Sequence, residues 1–271
     1  MDESLVIERP SPDCRPAAHG PAARRDSRPA LEVVWARHLD DVRAAQRLRH
    51  QVFAQEMGAR LAPPTGTPAG HDADAFDPHC EHLLVRSVDP SGRPAVVVGT
   101  YRVMTPAAAQ RIGYYTEREF DLAPLRRLRP YMAELGRSCV HADWRRGAVV
   151  LMMWSKLAEF MHANGVAAMI GCASIPMADG GHTAASVWHR LQPAHGVPEG
   201  EQVRPHLPLP LQALRTDLPV QPPALVSGYL KCGARVLGAP AWDPDFNTAD
   251  LPMLLRLADL PEGYQRRFIG G

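Results

Sequence analysis

ELGRSCVHADWRRGAVVLMMW, residues 134–154, changes character twice along its length. Its first seven residues read as a strand. HADWRRG reads as a basic loop closed by one glycine, and AVVLMMW opens an apolar helix. A strand ending in such a loop aims freed backbone N–H groups and a helix N-terminus at one point, which suits an anion. The helix is expected over 147–164, with Val150, Leu151, Trp154, Leu157, Ala158 and Met161 recurring at three and four. Gly165 should end it. The next run, VAAMIGCASI at 166–175, is continuously apolar, as in a strand covered on both faces. The centre is therefore β-α-β. That predicts an α/β fold with a mixed central β-sheet flanked by helices.

Upstream, residues 1–30 are rich in Pro, Ala and Arg without hydrophobic period, and are expected to form a disordered tail. A short strand at 31–35 precedes a helix capped by Asp40 or Asp41 and running to about Gly58. On that helix Arg49, Phe53 and Glu56 share one face. A loop at 61–70 leads to three aspartates (Asp72, Asp74, Asp77) and a strand at 82–88. DPSGRP at 89–94 reads as a hairpin turn, and AVVVGTYRVM at 95–104 as the next strand. Gly99 in its interior marks a bulge or a close approach. Thr116 and Glu119 have the spacing of a capping box. Residues 193–223 are proline-dense and read as an insertion over the surface of one domain, 31–271. Beyond it come a short helix at 225–232, strands at 235–237 and 251–255, and a turn-rich link between them.

The formal net charge of +1 gives no basic field, so nucleic acid is not an expected partner. No apolar run approaches the roughly 18 residues of a membrane span, and the first residues lack a signal-peptide apolar region. Five widely spaced cysteines make neither a disulfide framework nor a C-x-x-C pair, which fits the cytoplasm. His79, Cys80 and His82 match no common zinc spacing, so no metal is expected.

Four short motifs then occur in order: LRHQVF with Arg49 and Phe53, DAFD with Asp74 and Asp77, GTYR with Arg102, and ELGRSCV with Glu134 and Arg137. Together they resemble the GNAT-like N-acyltransferases that make ornithine lipids, the ornithine–acyl-carrier-protein N-acyltransferases, relatives of the acyl-homoserine-lactone synthases. The resemblance spans about 31–268, and GYLKCGARVLGAPAWDPDFNTADL at 228–251 favours the ornithine-lipid branch over the lactone synthases. It implies a GNAT-like fold. It also implies transfer of a 3-hydroxyacyl group from acyl carrier protein to the α-amine of ornithine, without a permanently bound cofactor. Glycine or lysine as acceptor, and a non-catalytic acyl-carrier or membrane-binding protein, are the alternatives.

The resemblance also implies roles. Glu134 is a candidate base for the attacking amine, or else pairs with Arg137 or Arg49 and shapes the pocket. Tyr229 is a candidate acid for the leaving thiolate, or else a packing residue. Arg49, Phe53, Asp74, Asp77, Arg102 and Arg137 are assigned to the acceptor. The arginines suit its carboxylate. The aspartates suit its ammonium, or instead hold Arg49 and Arg102 in a buried network. Cys139, Val140, Arg145, Arg146, Gly147 and Ala148 are assigned to the acyl-pantetheine arm. Backbone near Cys139 and Val140 would face the oxyanion. Arg145-Arg146-Gly147-Ala148 is a degenerate form of the superfamily's acyl-CoA loop, which suits a carrier-protein donor over free coenzyme A. Cys139 and Cys172 read as small buried hydrophobes rather than nucleophiles. The amphiphilic product implies a cytoplasmic protein with peripheral contact at the inner face of the inner membrane.

Overall fold

The computed structural model describes residues 30–88, 95–145 and 147–268. The expected tail before residue 30 and the turn at 89–94 lie outside the described residues. The chain begins with β1 (Ala30–Trp35) and α1 (Leu39–His50), which continues as a wider π-helical turn, Gln51–Glu56. β2 (Glu81–Val88), β3 (Val96–Met104), α2 (Pro106–Ile112) and a two-residue β4 (Phe120–Asp121) follow. The predicted β-α-β centre is β5 (Met132–Val140), α3 (Ala148–Ala163) and β6 (Ala168–Pro176). Then come α4 (His182–His195), β7 (Arg204–Pro205), α5 (Ala224–Lys231), β8 (Arg235–Val236), β9 (Ala241–Asp243), β10 (Thr248–Arg256) and α6 (Glu262–Phe268).

The main sheet runs β1-β2-β3-β5-β6-β10-β8, with β9 paired to β10. Every pair is antiparallel except β5 with β6, the pair that α3 crosses over. α3 presses Val149, Met153, Leu157 and Met161 onto Leu83, Val85, Tyr101 and Ala133. Of the expected helix face, Leu157, Ala158 and Met161 are buried, but Val150 and Trp154 are half-buried and Leu151 is exposed. Residues 148–154 are nearly all apolar, so their periodicity leaves the phase of the first two turns undetermined. Gly147 enters α3 at φ 87°, in the left-handed region that favours glycine.

On the opposite face α1 sets Leu48, Val52 and Phe53 against Cys139, while α2 and the turns after it pack with Met104, Met132 and Ile170. α4 and α5 cover the β6–β10–β8 end. Gly99 is both a bulge neighbour and a close approach. The β2–β3 register shifts beside it, and a Cβ there would lie 2.5 Å from Val149 Cγ1. Gly99→Ala should therefore lower stability by about 1–3 kcal/mol through overpacking, read as a lower urea midpoint at unchanged slope.

Three local readings change. No element was expected over 176–192, yet α4 forms there, started by Asp179, which accepts from the N–H groups of Gly181 (3.0 Å) and Thr183 (2.7 Å). Glu117, not Glu119, reaches back to the N–H of Tyr114, at 2.8 Å, so the expected Thr116–Glu119 box does not form. The turn-rich link is a hairpin of β9 and β10, with Asp243 accepting from the N–H groups of Asp245 and Phe246. The proline-dense segment 193–223 is tied to the body. Val197, Val203 and Leu209 are buried, and β7 pairs with β4. His206 N–H donates to Glu119 O at 2.7 Å.

Candidate active site

β5 and β6 pair for only three residues, from Met132 opposite Ala168 to Glu134 opposite Ile170. Beyond that β6 continues with β10, and β5 with β3 alone. The strands therefore part, and a cavity of about 850 Å³ occupies the split. Adjacent strand residues point to opposite faces. On the α3 side the cavity meets Tyr101, Val150, Leu151, Trp154, Leu225 and Tyr229; on the other side it meets Arg102, Tyr115, Thr116, Glu134, Arg137 and Asp250. One side is largely apolar and aromatic, the other charged.

Glu134 and Arg137 are three apart, so an even strand would send them to opposite faces. A bulge reverses this. Arg102 pairs with Gly136 but Thr100 with Cys139, and Arg137 takes a left-handed φ of 50°. Such a backbone is uncommon for arginine and costs roughly 1–3 kcal/mol, a strain that clusters at functional sites. Its result is that both side chains reach Tyr115. The Tyr115 N–H donates to Glu134 at 2.7 Å, and the Arg137 guanidinium lies 4.7 Å from the Tyr115 ring centre and 4.9 Å from that of Phe246. Glu134 also accepts from the Thr116 N–H (2.6 Å) and hydroxyl (2.5 Å). Burial pushes its carboxyl up from the ordinary value, against the pull of those donors.

Behind this wall lies a closed ionic network. Arg49, fully buried, donates to Asp72 (2.8 Å) and to both oxygens of Asp77 (2.9 and 2.8 Å). Arg102 donates to Asp74 (2.6 Å) and Asp77 (2.8 Å). Arg137 reaches Asp74 at 3.2 Å and Asp72 at 3.3 Å. Three guanidinium groups thus meet three carboxylates. Burial alone would raise Asp77, but Arg49 and Arg102 hold it well below the usual range, and Asp74 is lowered by Arg102 and Arg137 in the same way.

Residues 48–155 match the acetyltransferase (GNAT) domain family. The chain is 34% identical over 250 residues to the L-ornithine N(alpha)-acyltransferase of Rhodobacter capsulatus, covering 87% of this chain and 93% of that one. It is 35% identical over 249 residues to the enzyme of the same name from Agrobacterium fabrum, covering 86% and 83%. The chain belongs to the L-ornithine N(alpha)-acyltransferase family. Its fold is also that of the acyl-homoserine-lactone (AHL) synthase LasI, at a TM-score of 0.50 and 12% identity over 90% of this chain and 96% of that one.

In this acyltransferase the residues expected at the acceptor divide into two groups. Phe53, Arg102 and Arg137 line the cavity; Arg49, Asp74 and Asp77 stand behind it, with their charges engaged among themselves. The aspartates have the geometry of the buried-network reading, not of a direct seat for an ammonium. On the donor side Cys139, Val140, Arg145 and Gly147 line the cavity, and Ala148 begins α3. Arg146 lies outside the described residues. Arg145 donates to Val140 O at 3.0 Å and pairs with Glu56 at 2.5 Å, bracing the loop to the end of the first helix. Burial pushes the Cys139 thiol up to about 12 and Cys172 well above its usual value, which leaves neither as a nucleophile near neutral pH.

The Tyr229 ring stacks on Trp154 at 5.4 Å, and its hydroxyl hydrogen-bonds that of Tyr101. Burial first, then Tyr101, hold its phenol well above the usual value, so it keeps its proton. The sequence reading did not single out Tyr115, Phe246, Thr248 or Asp250, which also line the cavity, and it gave Glu119 only a capping role. The one signal was Asp250, an acid inside an apolar strand pattern at 249–251. Among the described residues, Glu119, Cys172 and Asp250 are the group whose ligand atoms lie close enough, within 4.8 Å, to take a metal ion. No described helix is long and apolar enough to cross a membrane.

Proposed function

We propose that this acyltransferase moves a 3-hydroxyacyl group from acyl carrier protein to the α-amine of L-ornithine, the first step in making an ornithine lipid. The observation that carries this is the cavity through the β5–β6 split. Its aromatic and apolar side suits an acyl-pantetheine arm, and its charged side suits an amino acid. The acceptor's carboxylate meets Arg137 and the free edge of Arg102. Glu134 takes the amine proton, directly or through one water. The neutral nitrogen attacks the thioester carbon, forming the C–N bond as the carbonyl electrons move to oxygen. The backbone N–H of Val140, which turns away from β3 where β5 leaves β6, holds that oxyanion. Collapse breaks the C–S bond as Tyr229 protonates the departing thiolate, and the adduct nitrogen gives its surplus proton back to the Tyr229 phenolate, directly or through water, leaving the neutral amide. Holding both reactants in one cavity replaces a bimolecular encounter.

The loop at 145–148, which keeps one glycine of the expected two, supports a carrier-protein donor over free coenzyme A. Exposed Met57 and Leu151 at the cavity rim suit peripheral contact with a lipid surface, where the amphiphilic product leaves. Tyr229→Phe should lower kcat about 10-fold or more, with the ornithine KM nearly unchanged. A mutant of full kcat would remove Tyr229 as the acid. The reading as a whole is tested by supplying purified protein with 3-hydroxyacyl-carrier protein and ornithine, with product mass as the readout. N-acyl-ornithine and free carrier thiol are expected. Acylation of glycine or lysine in preference would correct the acceptor, and turnover with acyl-CoA alone would correct the donor.

A further inference from the structure

Past Glu134 the cavity ends against β10 in a second acidic group. Asp250, 5% exposed, sits opposite Ser174 on β6, two residues along that strand from Cys172. Glu119 comes from the other side, its backbone clamped by His206 of the proline-dense segment. The Glu119 and Asp250 carboxylates approach within 4.8 Å, and no arginine pairs with either at ion-pair distance among the described residues. This contrasts with Asp72, Asp74 and Asp77, each matched by a guanidinium. Ser174, Thr248 and Glu119 lie close enough to Asp250 to act on its carboxyl, yet Asp250 Oδ1, Glu119 Oε2 and the hydroxyl of Thr248, a residue 1% exposed, make no well-formed hydrogen bond among the described residues. Asp250, Glu119 and Thr248 all line the cavity. A buried hydroxyl and two buried carboxylate oxygens left open in one place ask for a donor of positive charge.

We infer that Glu119, Asp250 and Thr248 form the seat of the acceptor's side-chain ammonium and make the enzyme select a diamino acid. The inference rests on the acylation reading, and adds to it what tells ornithine from a neutral amino acid. The seat lies beside the proposed α-amine site. Thr116 hydrogen-bonds Glu134, the Cys172 thiol lies 3.9 Å from the Thr116 hydroxyl, and the same thiol lies within 4.8 Å of the Glu119 and Asp250 carboxylates. An ammonium donates three hydrogen bonds, matching two carboxylates and one hydroxyl. While the seat is empty, burial and the facing charges of Asp250 and Asp243, offset in part by Arg137, push Glu119 up to about 9. Near neutral pH the pair therefore carries a proton, which an arriving ammonium displaces.

The test compares ornithine with norvaline, the same carbon chain lacking the second amine, in wild type, Asp250→Asn and Glu119→Gln. Wild type should prefer ornithine strongly. Each variant should lose about 30-fold or more in kcat/KM for ornithine while keeping norvaline turnover, so the preference collapses. Thr248→Val, the mildest change, should narrow it in the same direction, which guards against misfolding of the acid variants. Calorimetry of ornithine binding in buffers of different ionisation enthalpy should show proton release that Glu119→Gln lacks. Equal wild-type turnover of ornithine and norvaline would overturn the seat while leaving acylation standing. A preference retained in all three variants, or one lost on chelating divalent metal, would also overturn it. If no amino acid were acylated, the acylation reading would fail. Ornithine bound by wild type and not by Asp250→Asn would then uphold the seat, and equal binding would overturn it.

Discussion

Asp77→Ala should lower the folding stability of this acyltransferase by about 3–5 kcal/mol, a large share of the roughly 5–15 kcal/mol that a folded domain commands. Asp77 is buried and accepts from Arg49 twice, from Arg102 and from Gln46 (2.9 Å). Removing it strands part of the fully buried Arg49 charge and leaves Arg102 with Asp74 alone. A control is Glu159→Ala, which breaks the exposed Lys156–Glu159 pair on α3 and should cost no more than about 0.5 kcal/mol. Urea unfolding of both variants at unchanged slope gives the comparison. A cost for Asp77→Ala near that of Glu159→Ala would show that water enters the network. The pH dependence has a definite sign. Asp74 and Asp77 titrate below their ordinary values when folded, so their contribution is present above about pH 4 and is lost as pH falls through the folded values. Glu119 is raised, so its contribution runs the other way, full below its ordinary value and lost as pH climbs towards about 9.

The β-α-β centre of the sheet was legible because its signals are local. The β-α-β centre shows itself as an apolar strand, a loop, an apolar helix and a second apolar strand in one run of chain. The four motifs named six charged residues that the fold brings to one place. What they could not reveal is which charges cancel. Asp74 and Asp77 read equally as a seat for an ammonium or as partners of Arg49 and Arg102, and it takes the fold to show the pairing. Asp250 stands out as an acid in an apolar strand pattern, but nothing pairs it with Glu119, 131 positions away, until the fold brings the two near one another. The spacing of Glu134 and Arg137 is itself misleading on an even strand. A bulge at Gly136–Arg137 turns three apart into one face, and no residue pattern announced a left-handed arginine. α4 escaped notice because its buried side is built largely from Ala184, Ala185 and Ser186, whose small side chains give weak amphipathic contrast.

Glu134→Gln separates the anchoring seen at this carboxylate from its proposed role as base. As an anchor, Glu134 accepts from two backbone N–H groups and one hydroxyl, and so holds Tyr115 over Arg137. Glutamine keeps one acceptor oxygen but turns an NH₂ towards one of those donors, so the turn at 115–118 loosens and the Arg137 clamp loses its aromatic wall. That effect falls on acceptor binding and should appear as a raised ornithine KM. As the base, Glu134 acts only in the transition state, and its loss should lower kcat by about 10²–10⁴. The pH profile distinguishes the two. A base must be deprotonated, so the rate it supports is present above its folded pKa and falls as pH drops through it. Burial places that value above the ordinary glutamate value of about 4.3. The variant should lose this acid limb and keep the limb from the acceptor's own ammonium. Thr116→Val removes one anchoring hydrogen bond and leaves the carboxylate, so it should raise KM with the limb intact. If Glu134→Gln matched Thr116→Val in both respects, the carboxylate would be an anchor only, and the amine would reach its neutral form through solvent.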